Sequence, residues 1–299
     1  MDRQSFKRVL ITGSNGMLGK DIGSSLLVQD NLEVFGVNRT EDVNLDKDHS
    51  ILCDITNFVE LTNILEYVNP DIIIHCAANV NVDGCEKDKE YAYKLNTEST
   101  RVLSAYNSTN TKFIYISTDS VFDGETGNYR EEDETNPLNY YAWSKLEGER
   151  LALKENSNSM VLRANIYGFH KPEGNSLVEW ALKNLKENKK ILGFDDVYFN
   201  PVYTNQLAKI ITELLNINFN GIIHTGCENI VSKYEFLTRL AQKFNMDTNF
   251  ISKSSIDSIT FNAKRPKNTN LNIDKLLNLA KFSVTLEDGF TELIRDYNR

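Results

Sequence analysis

Between residues 8 and 117 the chain alternates short continuous apolar runs with segments whose apolar positions recur every three or four residues. The runs at 8–12, 32–37, 50–53, 71–76 and 112–117 have the β-branched character of buried strands. Helices are expected from about residue 17 to 29, and through Phe58, Leu61, Ile64, Leu65 and Val68 until Pro70 stops the element. A third helix, over about 91–107, carries Leu95, Val102, Leu103 and Tyr106 on its apolar side. Strands that are apolar throughout, alternating with helices, predict an α/β fold with a doubly wound, Rossmann-like parallel sheet covered on both faces.

A further helix opens at Tyr140, and a sixth strand is expected at 159–163. After it the regular alternation ends. Helices over about 176–187 and 204–215 are separated by loops and by isolated short strands such as 222–225. Ser232 with Glu235 reads as a capping box for a helix reaching about residue 244, and Thr285 with Asp288 as a looser cap for the last helix. The division that follows is a cofactor-binding domain over 1–164 and a mainly substrate-binding domain over 165–299, with parts of 190–225 returning to the first.

Composition narrows the function classes. The 299 residues are 40% hydrophobic and 25% charged, with a net charge of −9 spread along the chain. Mixed, acidic charge argues against a nucleic-acid surface. No run approaches the ~20 apolar residues of a membrane span, and the opening MDRQSFKRV has no apolar signal core, so a cytoplasmic protein is expected. Cys53, Cys76, Cys85 and Cys227 form no CxxC pair and read as buried thiols; no metal motif is present.

Candidate chemistry begins at the first strand. Gly13, Gly16 and Gly19 follow it at a spacing of three, where a tight turn, a close backbone approach to a diphosphate and a closely packed helix are each served by the missing Cβ. The helix that starts near Met17 then offers unpaired N–H groups to the diphosphate. Arg39, just past the second strand, suits the 2′-phosphate of NADPH, although NADH stays possible with Glu41 close by. His75, with no metal partner beside it, reads as a tucked strand-end residue. Ala77 and Ala78 keep the fourth strand's end small where a cofactor would pass.

Ligands of such sheets bind beyond the carboxyl ends of the strands, which here directs attention to Thr118. Tyr141 and Lys145 stand four residues apart on one helix face, ~6 Å along the axis, as a phenol and an ammonium able to share acid and base work. Two loops are candidate substrate contacts: 193–201, which contains Phe199, and 263–268, where Lys264, Arg265 and Lys267 gather in an acidic chain.

Together these stretches resemble an extended short-chain dehydrogenase/reductase of the dTDP-4-dehydrorhamnose reductase family. The resemblance rests on the glycine motif, Cys53-Asp54-Ile55-Thr56, the segment STDSVFDG at 117–124, Tyr141 to Lys145, Arg163, Tyr167-Gly168 and Arg265-Pro266. It implies NAD(P)H-dependent reduction of the 4-keto group of a nucleotide-linked 4-keto-6-deoxyhexose. Tyr141 would protonate the carbonyl oxygen, Thr118 orient it, and Lys145 hold the nicotinamide ribose. It also implies cofactor contacts from Gly13, Asn15, Gly16, Met17, Leu18, Gly19, Arg39, Asp54, Ile55, Ala77, Ala78 and Asn96. Substrate contacts are implied from Asp119, Ser120, Val121, Asn165, Phe199 and Arg265, together with a possible homodimer. Epimerase chemistry and a non-catalytic regulatory subunit remain as alternatives, whereas a dehydratase would need an Asp-Glu pair where Asp119-Ser120 stands.

Overall fold

The computed structural model describes residues 6–42, 45–280 and 284–298. Strands β1 (Lys7–Thr12), β2 (Leu32–Asn38), β3 (Ser50–Leu52), β4 (Ile72–His75), β5 (Lys112–Thr118) and β6 (Ser159–Ala164) appear where the apolar runs predict them. Shorter strands follow: β7 (Ile166–Tyr167), β8 (Ile191–Phe194), β9 (Tyr198–Phe199), β10 (Val202–Tyr203), β11 (Gly221–Thr225), β12 (Val231–Ser232) and β13 (Ile251–Ser254). Seven of them form one parallel sheet, in the order β11-β6-β5-β4-β1-β2-β3. The segment 222–225 is therefore no isolated strand. It lies beside β6, with Ile223 opposite Leu162, and extends the sheet by one position.

The period-two alternation of the strands builds two cores. Val9, Ile11, Ile72, Ile74, Ile114, Ile116, Met160 and Leu162 point to one face. Leu10, Ile73, Phe113, Tyr115 and Val161 point to the other. The first face is covered by α1 (Gly19–Leu26) through Ile22 and Leu26, and by the later helix α8 (Thr204–Leu214) through Leu207, Ile211 and Leu214. The second is covered by α2 (Phe58–Val68), by α5 (Ser99–Ala105) and by α6 (Tyr140–Glu155). At ~25 cal/mol per Å² of apolar surface, each fully buried Leu or Ile contributes about 1.5–3 kcal/mol to holding these layers together.

The expected helix over 91–107 is three segments: α4 (Lys89–Tyr93), a π-helical turn at Lys94–Glu98, and α5. The wide turn accompanies an inward-facing amide. Asn96 is fully buried; it donates to Asn79 O at 3.1 Å and Ser144 Oγ at 2.9 Å, and accepts from Asn79 N–H at 2.7 Å. The preceding helix, α3 (Val82–Lys87), went unread because it is only six residues long.

Four helices complete the chain: α7 (Leu177–Lys186), α9 (Lys233–Lys243), α10 (Asp274–Ala280) and α11 (Leu286–Tyr297). At α9 only half of the expected box forms. Ser232 Oγ accepts from Glu235 N–H at 3.1 Å, but the Glu235 carboxylate pairs with Arg239. The reciprocal box stands at α7 instead, between Ser176 and Glu179. Thr285 caps α11 as expected, with Asp288 N–H at 3.1 Å.

Candidate active site

The glycine turn fixes one end of the site. Gly13 has φ +69°, open to glycine at little cost, and a Cβ there would stand 3.0 Å from Ala77 N. A Cβ on Gly19 would drive into the Gly13 carbonyl, so α1 can lie against the turn only without one. The turn is locked to the end of β2: Asn38 Oδ1 accepts from Asn15 N–H at 3.0 Å, Asn38 Nδ2 donates to Ser14 Oγ at 2.6 Å, and Ser14 donates to Asp42 at 2.5 Å.

These elements border a cavity of about 690 Å³ along the carboxyl ends of the strands. Gly13, Asn15, Gly16, Met17, Leu18 and Gly19 line one part of it. Arg39, Asp54, Ile55, Ala77 and Ala78 line the adjoining part, and Thr118, Asp119, Ser120, Tyr141, Lys145 and Asn165 the far end. Arg39 Nη1 donates to Tyr91 OH at 3.1 Å. Asp54 closes its own turn on the N–H and hydroxyl of Thr56. The cavity's size suits a nucleotide cofactor, and the tight backbone cradle with Arg39 at its edge fits NADPH.

Four expected site residues stand off the cavity wall. Asn96 acts one layer behind it, tying the Asn79 backbone to α6. Val121 packs in a satellite core with Phe122, Tyr129, Leu146 and Leu271. Phe199 is 2% exposed, its ring covered by the Lys233 ammonium at 3.4 Å. Arg265 is held at Nη2 by Asp83 at 2.9 Å, while its buried Nη1 meets no partner among the described residues.

At the catalytic end the phenol of Tyr141 meets the Thr118 hydroxyl. Burial pushes the Tyr141 pKa well above the usual tyrosine value, with the bond to Thr118 opposing it, so the phenol is protonated. Lys145 Nζ donates to Ile116 O at 2.7 Å and sits 4.0 Å from the Tyr115 ring centroid. Burial brings the Lys145 pKa down to about 7, against the opposing charge of Glu149 one turn along α6.

A buried network unread in the sequence supports this end. Glu149 accepts from Arg163 Nε at 3.0 Å and Nη2 at 2.8 Å, and from Ser117 Oγ. Asp119 is 1% exposed and collects donors from Thr118 (3.2 Å), Ser120 (3.3 Å), Asn165 (2.9 Å) and Thr269 (2.5 Å). It orients the hydroxyls around it. Cys76, on the cavity wall, and Cys53 are pushed up to about 12 by burial, and Cys85 and Cys227 to about 11, which leaves four unreactive thiols. His75 is tucked at the end of β4, bonded to Thr12 Oγ1 at 2.6 Å.

Comparison with known proteins agrees with this geometry. The chain is 31% identical to a dTDP-4-dehydrorhamnose reductase of Aggregatibacter actinomycetemcomitans, over 90% of this chain and 92% of that one. It is 30% identical to the methionine adenosyltransferase 2 subunit beta of Danio rerio, over 91% and 84% respectively. Among solved structures, the dTDP-4-dehydrorhamnose reductase of Bacillus anthracis in complex with NADP superposes with a TM-score of 0.85 at 28% identity, covering 97% of this chain and 99% of that one. The family model described as the RmlD substrate binding domain matches residues 7–298, and the chain belongs to that family of Rossmann-like extended short-chain dehydrogenase/reductases.

Proposed function

We propose that this protein is an NADPH-dependent reductase of the 4-keto group of a nucleotide-linked 4-keto-6-deoxyhexose, of the dTDP-4-dehydrorhamnose type. The observation that carries the reading is the convergence of Thr118, Tyr141 and Lys145 on the cavity that also holds the glycine turn and Arg39. When bound, NADPH supplies the hydride. The protonated Tyr141 phenol gives its proton to the sugar's carbonyl oxygen as charge develops there. Thr118, its hydroxyl now directed by Asp119, turns to hold that oxygen, and Lys145 holds the ribose of the cofactor. Arg265, with Nη2 anchored on Asp83 and Nη1 without a partner among the described residues, supports a contact to the nucleotide diphosphate.

The dehydratase reading lacks its acid. Ser120 stands beside Asp119 and donates to it, and Asp119 is already saturated with donors. The resemblance to a methionine adenosyltransferase subunit offers a non-catalytic role, but the retained Thr118, Tyr141 and Lys145 favour turnover. A cytoplasmic location and a homodimer, both part of the sequence expectation, belong to the same proposal; among the described residues no helix is long and apolar enough to cross a membrane. The test is NADPH consumption with a panel of dTDP-, GDP- and UDP-linked 4-keto-6-deoxyhexoses, the products identified by NMR. Reduction at C4 of one panel member is expected. Firm NADPH binding with no oxidation by any of them would overturn the assignment.

A further inference from the structure

Part of the cavity wall is a loop between β7 and α7, and it contains a histidine–carboxylate pair that the catalytic set does not use. His170 lines the cavity. Its Nδ1 lies 2.8 Å from Glu179 Oε2. The same carboxylate, 3% exposed at the residue level, also accepts the backbone N–H groups of His170 at 2.7 Å, Gly174 at 3.0 Å and Ser176 at 2.7 Å. Burial works against its charge, but the N–H donors of Gly174 and Ser176, with His170, outweigh it and hold the Glu179 pKa at about 2.

Glu179 is therefore an acceptor only, and the proton between the two side chains belongs on His170 Nδ1. The loop backbone packs against one side of the ring: a Cβ on Gly174 would stand 2.5 Å from Nδ1 and 2.7 Å from Cγ. What is left is Nε2, which meets no protein group among the described residues. The loop also abuts the glycine turn: a Cβ on Gly168 would lie 3.5 Å from Met17 Cγ, and Met17 lines the same cavity.

We propose that His170 is a ligand-contacting residue, held by Glu179 with Gly174 packed against its ring so that its Nε2 hydrogen-bonds a hydroxyl of the bound molecule, on the ribose of the cofactor or on the sugar of the substrate. The identity of those ligands rests on the reductase reading above; the placement of the imidazole does not. With Nδ1 committed to Glu179, Nε2 is the ring atom left to pair with a hydroxyl, which both donates and accepts and which both sources carry. A side chain already held in this way costs little ordering when the ligand arrives.

The test uses the full-length chain and three variants. His170→Leu removes the polar group, His170→Gln restores one through its amide, and Gly174→Ala keeps the histidine but displaces its ring. Affinities for NADPH and for dTDP are measured by titration, and kcat and KM for the 4-keto sugar by NADPH consumption. His170→Leu and Gly174→Ala are expected to weaken one ligand about tenfold, in Kd or KM rather than in kcat, and His170→Gln to recover most of the loss. A change in the NADPH Kd assigns the contact to the cofactor ribose; a change confined to the sugar's KM assigns it to the substrate. Unaltered Kd and KM in both His170→Leu and Gly174→Ala would overturn the proposal, as would a loss that His170→Gln fails to recover. A wild-type chain inert toward every sugar would instead defeat the reductase reading, with the NADPH and dTDP titrations still deciding the role of His170.

Discussion

A lysine brought near neutrality by burial is expected to make cofactor binding at this site sensitive to pH. Lys145 is 3% exposed, stacked on Tyr115, and burial brings its pKa down to about 7. Below that value the side chain is an ammonium, and above it a neutral amine. NADPH is an anion, so its Kd is expected to rise as pH goes from 6 to 8.5, and the rise to shrink in Lys145→Met. A Lys145→Met profile as steep as that of the wild type would assign the effect to another group. Arg39 poses a separate test. Its guanidinium borders the cavity near the end of β2, where Asn38 spends its amide on Ser14 and Asn15 and Arg39 is the cation proposed to meet the 2′-phosphate. Arg39→Ala should weaken NADPH about tenfold or more while changing NADH by less than about twofold, because only the former carries a 2′-phosphate. Equal losses for both nucleotides would remove Arg39 from that contact.

At the scale of elements, what was legible depended on how local the cause was. The strand-glycine-helix unit at β1 and α1, and the Tyr141/Lys145 face of α6, are set by residues within a few positions of one another, so spacing alone revealed them. The Glu149, Arg163 and Ser117 network joins residues 14 and 32 positions apart, and no local pattern announces it. Strand β11 reads as isolated because its five residues lack flanking periodicity; its partner is β6, more than fifty residues earlier. Phe199 looks like a ligand contact in a polar loop, yet tertiary neighbours bury it, whereas Asp119 borders the cavity with its carboxylate taken up by distant donors from Asn165 and Thr269. His170 lies in a loop whose meaning depends on Glu179, nine positions later on α7, and no local pattern joins the two. The buried pair carries a prediction of its own. Glu149→Ala leaves the Arg163 charge unpaired in a dry environment and should destabilise the fold by about 3–5 kcal/mol, read as a large drop in Tm. A Tm within a degree or two of the wild type would show that Arg163 reaches solvent or another partner.

The whole molecule closes its C-terminal segment over the cofactor sheet through polar ties that converge on the site. Thr269 and Asn165 both donate to Asp119, beside Thr118. Asp83 of α3 holds Arg265 and the Ala263 N–H, and Asn139, the cap of α6, donates to Lys264 O at 2.9 Å. The loop that carries Arg265 is thus fastened to the start of the helix that carries Tyr141, so binding at one end and chemistry at the other share a frame. The central claim is that this frame makes Tyr141 the proton donor of a carbonyl reduction. Its most direct test is the single-turnover rate of NADPH oxidation at 340 nm with a saturating dTDP-linked 4-keto-6-deoxyhexose, in wild type and in Tyr141→Phe. Oxidation by the wild type, slowed ~10²–10⁴-fold in Tyr141→Phe with the NADPH Kd kept within about threefold, is the predicted result. A Tyr141→Phe enzyme that turns over as fast as the wild type would contradict it.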